Sequence, residues 1–409
     1  MFRKVKYLLM ACAVFVACEY DKMPLPAPAG DSASFGANDT SYVELFPVWD
    51  ASALGYSFNH PVDISMGPDG LIFVADEGND NIVVMTKAGA LLQRDGLDGL
   101  DEVPHPQGVC VDSKLNVLIT NGTNQIWCWN QYLNYAQLDS IARDVVVYDS
   151  QQDSAYEMTL DAYIDLAVHS DAQLPQIRRY VFKKDDQAIE NARRMYPFFA
   201  DEQSQAQIND VAAGSFGSGL VYATESTKDK ILQIGLIPKA AFRNQFGNIV
   251  MQYAGVLVNK VVTAGSGAGT AFDPQGCIVD DLGNLYFTQL GGNFRVQKLL
   301  AGTFASEFVL YQDEIMDLGR FKSPYDLALD DDNNIFVVDA EQKQVFKFEK
   351  SGALADLGEK GLATARFTDA RGIMAAENII YVLESGKDRI RRFQYSVSEE
   401  DLPDVDENP

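Results

Sequence analysis

The chain is poor in the residues that most often carry chemistry: 409 residues hold 3 His, 5 Cys and 3 Trp. No CxxC pair, GxSxG elbow or Cys/His pairing is present, which excludes the common thiol-redox, zinc-ribbon and nucleophile-elbow arrangements. Cations are also scarce. Lys and Arg total 33 against 58 Asp and Glu, a net charge of −25. Such a surface repels phosphate backbones, so no nucleic-acid partner is expected; it favours solubility and cationic partners or metal ions. The apolar run Tyr7 to Ala17 has 11 residues, short of the roughly 20 that a bilayer span requires. Gly265, Gly267 and Gly269 imitate a phosphate loop, but no Lys-Ser/Thr follows and no βαβ unit surrounds them.

What is present begins with an address. Arg3, Lys4 and Lys6 precede the apolar run, which ends Phe15-Val16-Ala17-Cys18. This resembles a bacterial lipoprotein signal, with residues 1–17 removed and Cys18 lipidated as the membrane anchor. Glu19 to Lys22 resemble the surface-export tag of Bacteroidetes-type lipoproteins. The implied location is the bacterial cell envelope, at the outer membrane on its periplasmic side or at the cell surface. Residues 18–39 are rich in Pro, Ala, Gly and Ser and read as a flexible tether; 398–409 read as a disordered acidic tail.

Between these ends the chain repeats itself. Phe58 to Met85 (FNHPVDISMGPDGLIFVADEGNDNIVVM) reads as a Pro-containing loop and three short strands separated by Gly-rich turns. Five further copies end at Trp129, Ile234, Leu299, Phe348 and Phe393. The residue two after the Pro position is Asp63, Gly108, Asp210, Gly276, Asp326 and Gly372, at spacings of 45, 102, 66, 50 and 46. A period near 45 built from short strands is that of propeller blades.

The pattern resembles the NHL-repeat family: a Phe/Pro loop, Gly-hydrophobic-hydrophobic-Asp, a Gly turn, an aliphatic strand with Tyr or Phe, and a basic or amide residue opening the third strand. That last position is Asn81, Gln125, Lys230, Arg295, Gln344 and Arg389. The resemblance implies an all-β, six-bladed propeller over residues 40–397 and says little about function. Tyr42 to Trp49 reads as a lone strand that completes the last blade and closes the ring. The excess between the second and third repeats, residues 141–207, has helical spacing over Ala155–Val168 and Asp185–Phe199. It reads as a small α-helical insertion between blades 2 and 3, its aromatic stripe packing as core.

Candidate site residues are few. His60 and His105 sit just before the Pro of their repeats and His169 lies in the insertion; each reads as a neutral His in a turn, without the His-rich zinc site of the propeller-fold peptide-amidating lyases. Cys110, Cys128 and Cys277 read as small core residues. Asp63, Asp210 and Asp326 fall on alternate blades, so three carboxylates could converge at the channel mouth and hold Ca²⁺. The alternative gives each a backbone hydrogen bond at its strand start. Asp280 to Asn284 and Asp330 to Asn334 are expected in hairpin turns for backbone reasons. Two functions follow: a binding or scaffolding module for a protein or glycan in the envelope, or a metal-dependent hydrolase resembling the six-bladed lactonases, with its site at the channel mouth.

Overall fold

A strand covered on both faces by neighbouring sheets needs no polar side, and the central strand of each repeat has none: Ile72, Phe73, Val74 and Ala75 are all fully buried, as are Ile335 to Val338. The computed structural model describes residues 41–92, 100, 103–170 and 173–396. Among these, the strands form six antiparallel sheets, and the chain is a β-propeller. The innermost strands are Pro61–Met66, Gly108–Val111, Ile208–Ala213, Pro274–Val279, Pro324–Leu329 and Ala370–Ala376. Each packs beside the next, and the last beside the first, so the ring is closed. The expected signal, tether and acidic tail lie outside the described residues. No helix among the described residues is long and apolar enough to cross a membrane.

The apolar core is correspondingly divided into wedges, one between each pair of blades. Phe73, Val84, Val109 and Trp129 fill the first, and Trp49, Ile64, Tyr381 and Ile390 fill the one where the chain ends meet. There the sixth sheet takes its outer strand from the other end of the chain: Ser41–Trp49 pairs antiparallel with Arg389–Ser396. The expected closure by the N-terminal strand is what the structure has. Arg391 locks it, its Nε and Nη2 donating to the Glu44 carboxylate at 2.7 and 2.8 Å.

The insertion carries the two expected helices, Leu160–His169 and Asp186–Arg193, capped by the side chains of Thr159 and Asp185. Their limits are shorter than the spacing suggested. Ala155 to Thr159 belongs to the strand Ser154–Thr159, and Tyr196–Ala200 is the outer strand of blade 2, paired with Gln125–Asn130. An alternation such as Tyr196-Pro-Phe198-Phe199 fits either period over so short a run, and the free edge of blade 2 decides it. Three strands of the insertion also join blade 3. Leu138–Asp149 pairs with the distal half of the long strand Lys230–Asn244, whose hairpin partner is Ile249–Val262, and carries Ser154–Thr159 and Gln176–Lys183 on either side. The surplus residues after Gly235 are therefore the extension of this hairpin. Leu160 and Tyr163 pack into its apolar side with Val145 and Val147.

Trp49, 2 % exposed in the closing wedge, sets a test of closure. Trp49→Ala is expected to lower the stability of the propeller by about 3–5 kcal/mol, the usual cost of removing a buried aromatic, measured by urea unfolding followed by circular dichroism.

Candidate functional site

The six register positions form the waist of the central channel, and their alternation of Asp and Gly has a steric and electrostatic cause. Asp63 accepts the N–H of Ile64 at 2.7 Å and, across the blade boundary, that of Val109 at 2.6 Å. Asp210 does the same with Val211 and Cys277, both at 2.7 Å, and Asp326 with Leu327 and Ile373 at 2.7 and 2.8 Å. Each carboxylate thus joins its own blade to the next. The intervening positions must be glycine. A Cβ on Gly108 would lie 2.6 Å from Asp210 Oδ1, and one on Gly276 would lie 2.7 Å from Asp326 Oδ1. At Gly372 it would meet Val62 O at 2.9 Å.

The three carboxyls are half-buried and feel one another. Burial pushes Asp63 up to about 6, against the pull of its two backbone donors. Burial, followed by the charge of Asp63, raises Asp210 well above the ordinary carboxylate range, and Asp326 rises likewise from burial and then from both neighbours.

The structure brings Asp63, Asp210 and Asp326 to one place, yet the set does not fit a calcium ion. Each of the six carboxylate oxygens accepts a backbone N–H, the role that the backbone alternative gave these residues. Among the described residues no group of three or more His, Cys, Asp or Glu is arranged to hold a metal. The hairpin acids likewise serve the backbone: Asp280 accepts from Leu282 N and Asn284 N, and Asp330 from Asp332 N and Asn334 N. The cysteines lie in apolar surroundings, where burial raises the thiols of Cys110, Cys128 and Cys277 and keeps them protonated.

Cavities open on both sides of the waist. One, about 280 Å³, is lined by aliphatic residues with Cys110 and Cys277. The other, about 350 Å³, is polar. Its walls are the residues one before each register position: Val62, Gln107, Asn209, Gln275, Tyr325 and Arg371. Sequence reasoning stopped at the register itself and missed this ring. The signal was available, since five of these six side chains carry hydrogen-bonding groups on strands that otherwise bury apolar residues.

Arg371 is fixed from two sides. Its guanidinium lies 3.8 Å from the centre of the Tyr325 ring, and its Nε donates to Asp369 Oδ1 at 2.7 Å. Burial alone would raise Asp369, but the hydrogen bonds and charge of Arg371 hold it below its ordinary value. His60 stands beside this pair. It occupies a left-handed turn, φ 58°, held by Asp388 accepting its N–H at 2.8 Å. Its ring places Nδ1 2.6 Å from Glu77 and Nε2 3.4 Å from Asp369. His105 sits in the matching turn of blade 2, its N–H donated to Asp80, while His169 contacts Asp165 at the exposed end of its helix. The reading as turn residues agrees with the structure for His60 and His105 but not for His169, which is the last residue of the helix Leu160–His169; His60 is in addition part of the polar mouth.

No family model and no curated protein matches the sequence. Solved structures do resemble it. A gluconolactonase from Xanthomonas campestris is 10 % identical, with 89 % of this chain and 99 % of that one covered at a TM-score of 0.45. Virginiamycin B lyase from Staphylococcus aureus is 11 % identical, covering 82 % and 95 % at 0.42. The calcium-binding protein regucalcin from Agrobacterium tumefaciens is 8 % identical, covering 87 % and 95 % at 0.46. These likenesses concern the course of the chain through a propeller and not its chemistry.

The raised pKa values fix a sign. A carboxyl that binds its proton more tightly when folded contributes stability that is full below its unfolded pKa, near 4, and is lost as pH rises through the folded value. The margin of the wild-type chain over Asp63→Asn is therefore expected to shrink between about pH 4 and pH 6 and to level off above that. Urea unfolding at pH 4.5, 6 and 7.5 reads it. At the acidic end the variant should be less stable by about 1.5–3 kcal/mol, because its amide NH2 meets a backbone donor where either oxygen of the carboxyl can accept one.

Proposed function

We propose that this chain is a lipid-anchored envelope propeller of NHL-type repeats that binds a small neutral, polar molecule at the mouth of its central channel. The observation that supports this is the convergence of Gln107, Asn209, Gln275, Tyr325 and Arg371 on one cavity whose floor is the three carboxyls. The location is that of the hydrolase reading rather than the scaffold reading, without its calcium. Charge selects the ligand. Glu77 and Asp369 offset Arg371 and His60 around the mouth, and the channel acids below them are raised toward the protonated form, so no net positive charge is left to hold an anion and the site suits a neutral molecule rich in hydroxyl or amide groups. The three amide side chains each offer donors and acceptors to such a molecule, and the stacked Arg371 and Tyr325 give it a planar wall. Asp63, with a pKa near 6, can both give and take a proton close to neutral pH. Hydrolysis or elimination on a bound ester or lactone would use it as general acid or base.

Thermal-shift screening at pH 6 with neutral sugars, lactones and small amides tests the site. Compounds that stabilise the wild-type chain are expected to bind at least about tenfold more weakly to Gln275→Ala and Arg371→Ala. Hits unaffected by both substitutions would move the site elsewhere and defeat the reading. For any hit that is turned over, Asp63→Asn is expected to lower kcat far more than it raises KM. The anchor has its own test: detergent-phase partitioning of the full chain is expected, with Cys18→Ser shifting it to the aqueous phase. Equal partitioning of the two would overturn lipidation at Cys18.

A further inference from the structure

A second binding surface lies at the far end of the sheet that the insertion adds to blade 3. There Tyr132, Tyr135, Gln137, Gln245, Phe246 and Asn248 enclose an open cavity of about 370 Å³, sharing no residue with the channel mouth. Its size falls in the range of small-molecule sites, about 300–1,000 Å³.

The surface is built rather than incidental. Tyr132 and Tyr135 are three apart on the short helix Gln131–Tyr135, which Asn130 caps and buried Leu133 anchors. Asn134 fastens that helix to the insertion by donating to Arg193 O at 3.0 Å. Phe246 sits at the tip of the long hairpin, where Asn244 Oδ1 accepts both Phe246 N–H at 3.0 Å and Asn248 N–H at 2.9 Å. The N–H of Gln245 reaches Gln137 O at 3.0 Å and holds the tip against the segment that follows the helix. A turn so firmly made would ordinarily present polar side chains. This one presents Phe246 at 78 % exposure, beside Tyr132 at 40 % and Tyr135 at 43 %.

The chemistry of the lining selects the occupant. In a chain of net charge −25 the cavity contains no Asp, Glu, Lys, Arg or His. A charged ligand finds no counter-ion there, and the amides of Gln137, Gln245 and Asn248 offer donors and acceptors in equal measure. Aromatic rings supply flat apolar faces beside them. A ligand that alternates C–H faces with a belt of hydroxyls matches both features. We infer that this surface binds a neutral saccharide chain, one or two sugar rings of which lie against Phe246 and the two tyrosines.

Native affinity gels containing soluble starch, laminarin or mannan, followed by calorimetry with maltohexaose, laminarihexaose and mannohexaose, test the inference on residues 23–409. Saturable binding of at least one saccharide is expected, weakened at least tenfold in Tyr132→Ala/Phe246→Ala and unchanged in Phe216→Ala, which removes an exposed aromatic outside both this cavity and the channel mouth. All three side chains replaced are exposed, and circular dichroism confirms that the variants fold. Absence of binding to every probe, or equal binding by the double variant, would overturn the inference. So would self-association of the wild-type chain in sedimentation that the double variant abolishes, since that assigns the surface to a second copy.

Discussion

The propeller depends on how the backbone amides at its centre find acceptors. Where six strands crowd around a channel, each inner strand has its outward edge in its own sheet and its other edge facing the neighbouring blade, too far round for a regular ladder. Carboxylates from alternate blades bridge that gap. Asp63, Asp210 and Asp326 each accept one amide from their own strand and one from the next, at Val109, Cys277 and Ile373. Hydroxyls complete the circuit: Thr120 donates to Asn209 O, Thr288 to Tyr325 O, and Ser385 to Pro61 O at the closure. The bonds to Val109, Cys277 and Ile373 and the three hydroxyl bonds all cross a blade boundary, so the ring is held by polar contacts at its axis and by apolar wedges further out.

Concentrating these acids at the axis also creates the chemical character of the channel. A carboxylate that satisfies buried amides is withdrawn from water, and three of them together cannot all remain charged at ordinary cost. The rise in their proton affinity is thus a consequence of the architecture before it is a property of a site. What distinguishes one end of the channel from the other is the ring next to the carboxyls. Gln107, Asn209, Gln275, Tyr325 and Arg371 face one cavity, and aliphatic residues with two protonated thiols face the other.

Much of this was legible in the sequence because propeller repeats have a fixed register. The six copies, the three-strand unit and the closing strand Ser41–Trp49 follow from spacing and from the need to leave no open edge. The hairpin acids at Asp280 and Asp330 were readable too, since turn chemistry is local. The carboxyl triad was visible as a pattern, but its partners were not, because Val109 N and Cys277 N are acceptable donors only through a geometry that no spacing encodes. The insertion was half legible. Its helices have their own period, whereas its strands gain meaning from the hairpin Lys230–Val262 far along the chain. The aromatic tip at Phe246 was hidden for the same reason, as a residue in a turn whose neighbours come from a different repeat.

The closing strand has a consequence for how the molecule is made. Ser41–Trp49 is among the first structured segments to be synthesised, yet its partner Arg389–Ser396 is among the last. Five wedges can assemble in sequence from near neighbours, but the sixth requires the two chain ends to meet, the pairing of largest sequence separation in the fold. Until then a strand carrying Tyr42, Leu45 and Trp49 waits with its edge unpaired, exposed to other chains in the same condition. Closing the ring is therefore also the step at which the chain ceases to be a hazard to its neighbours.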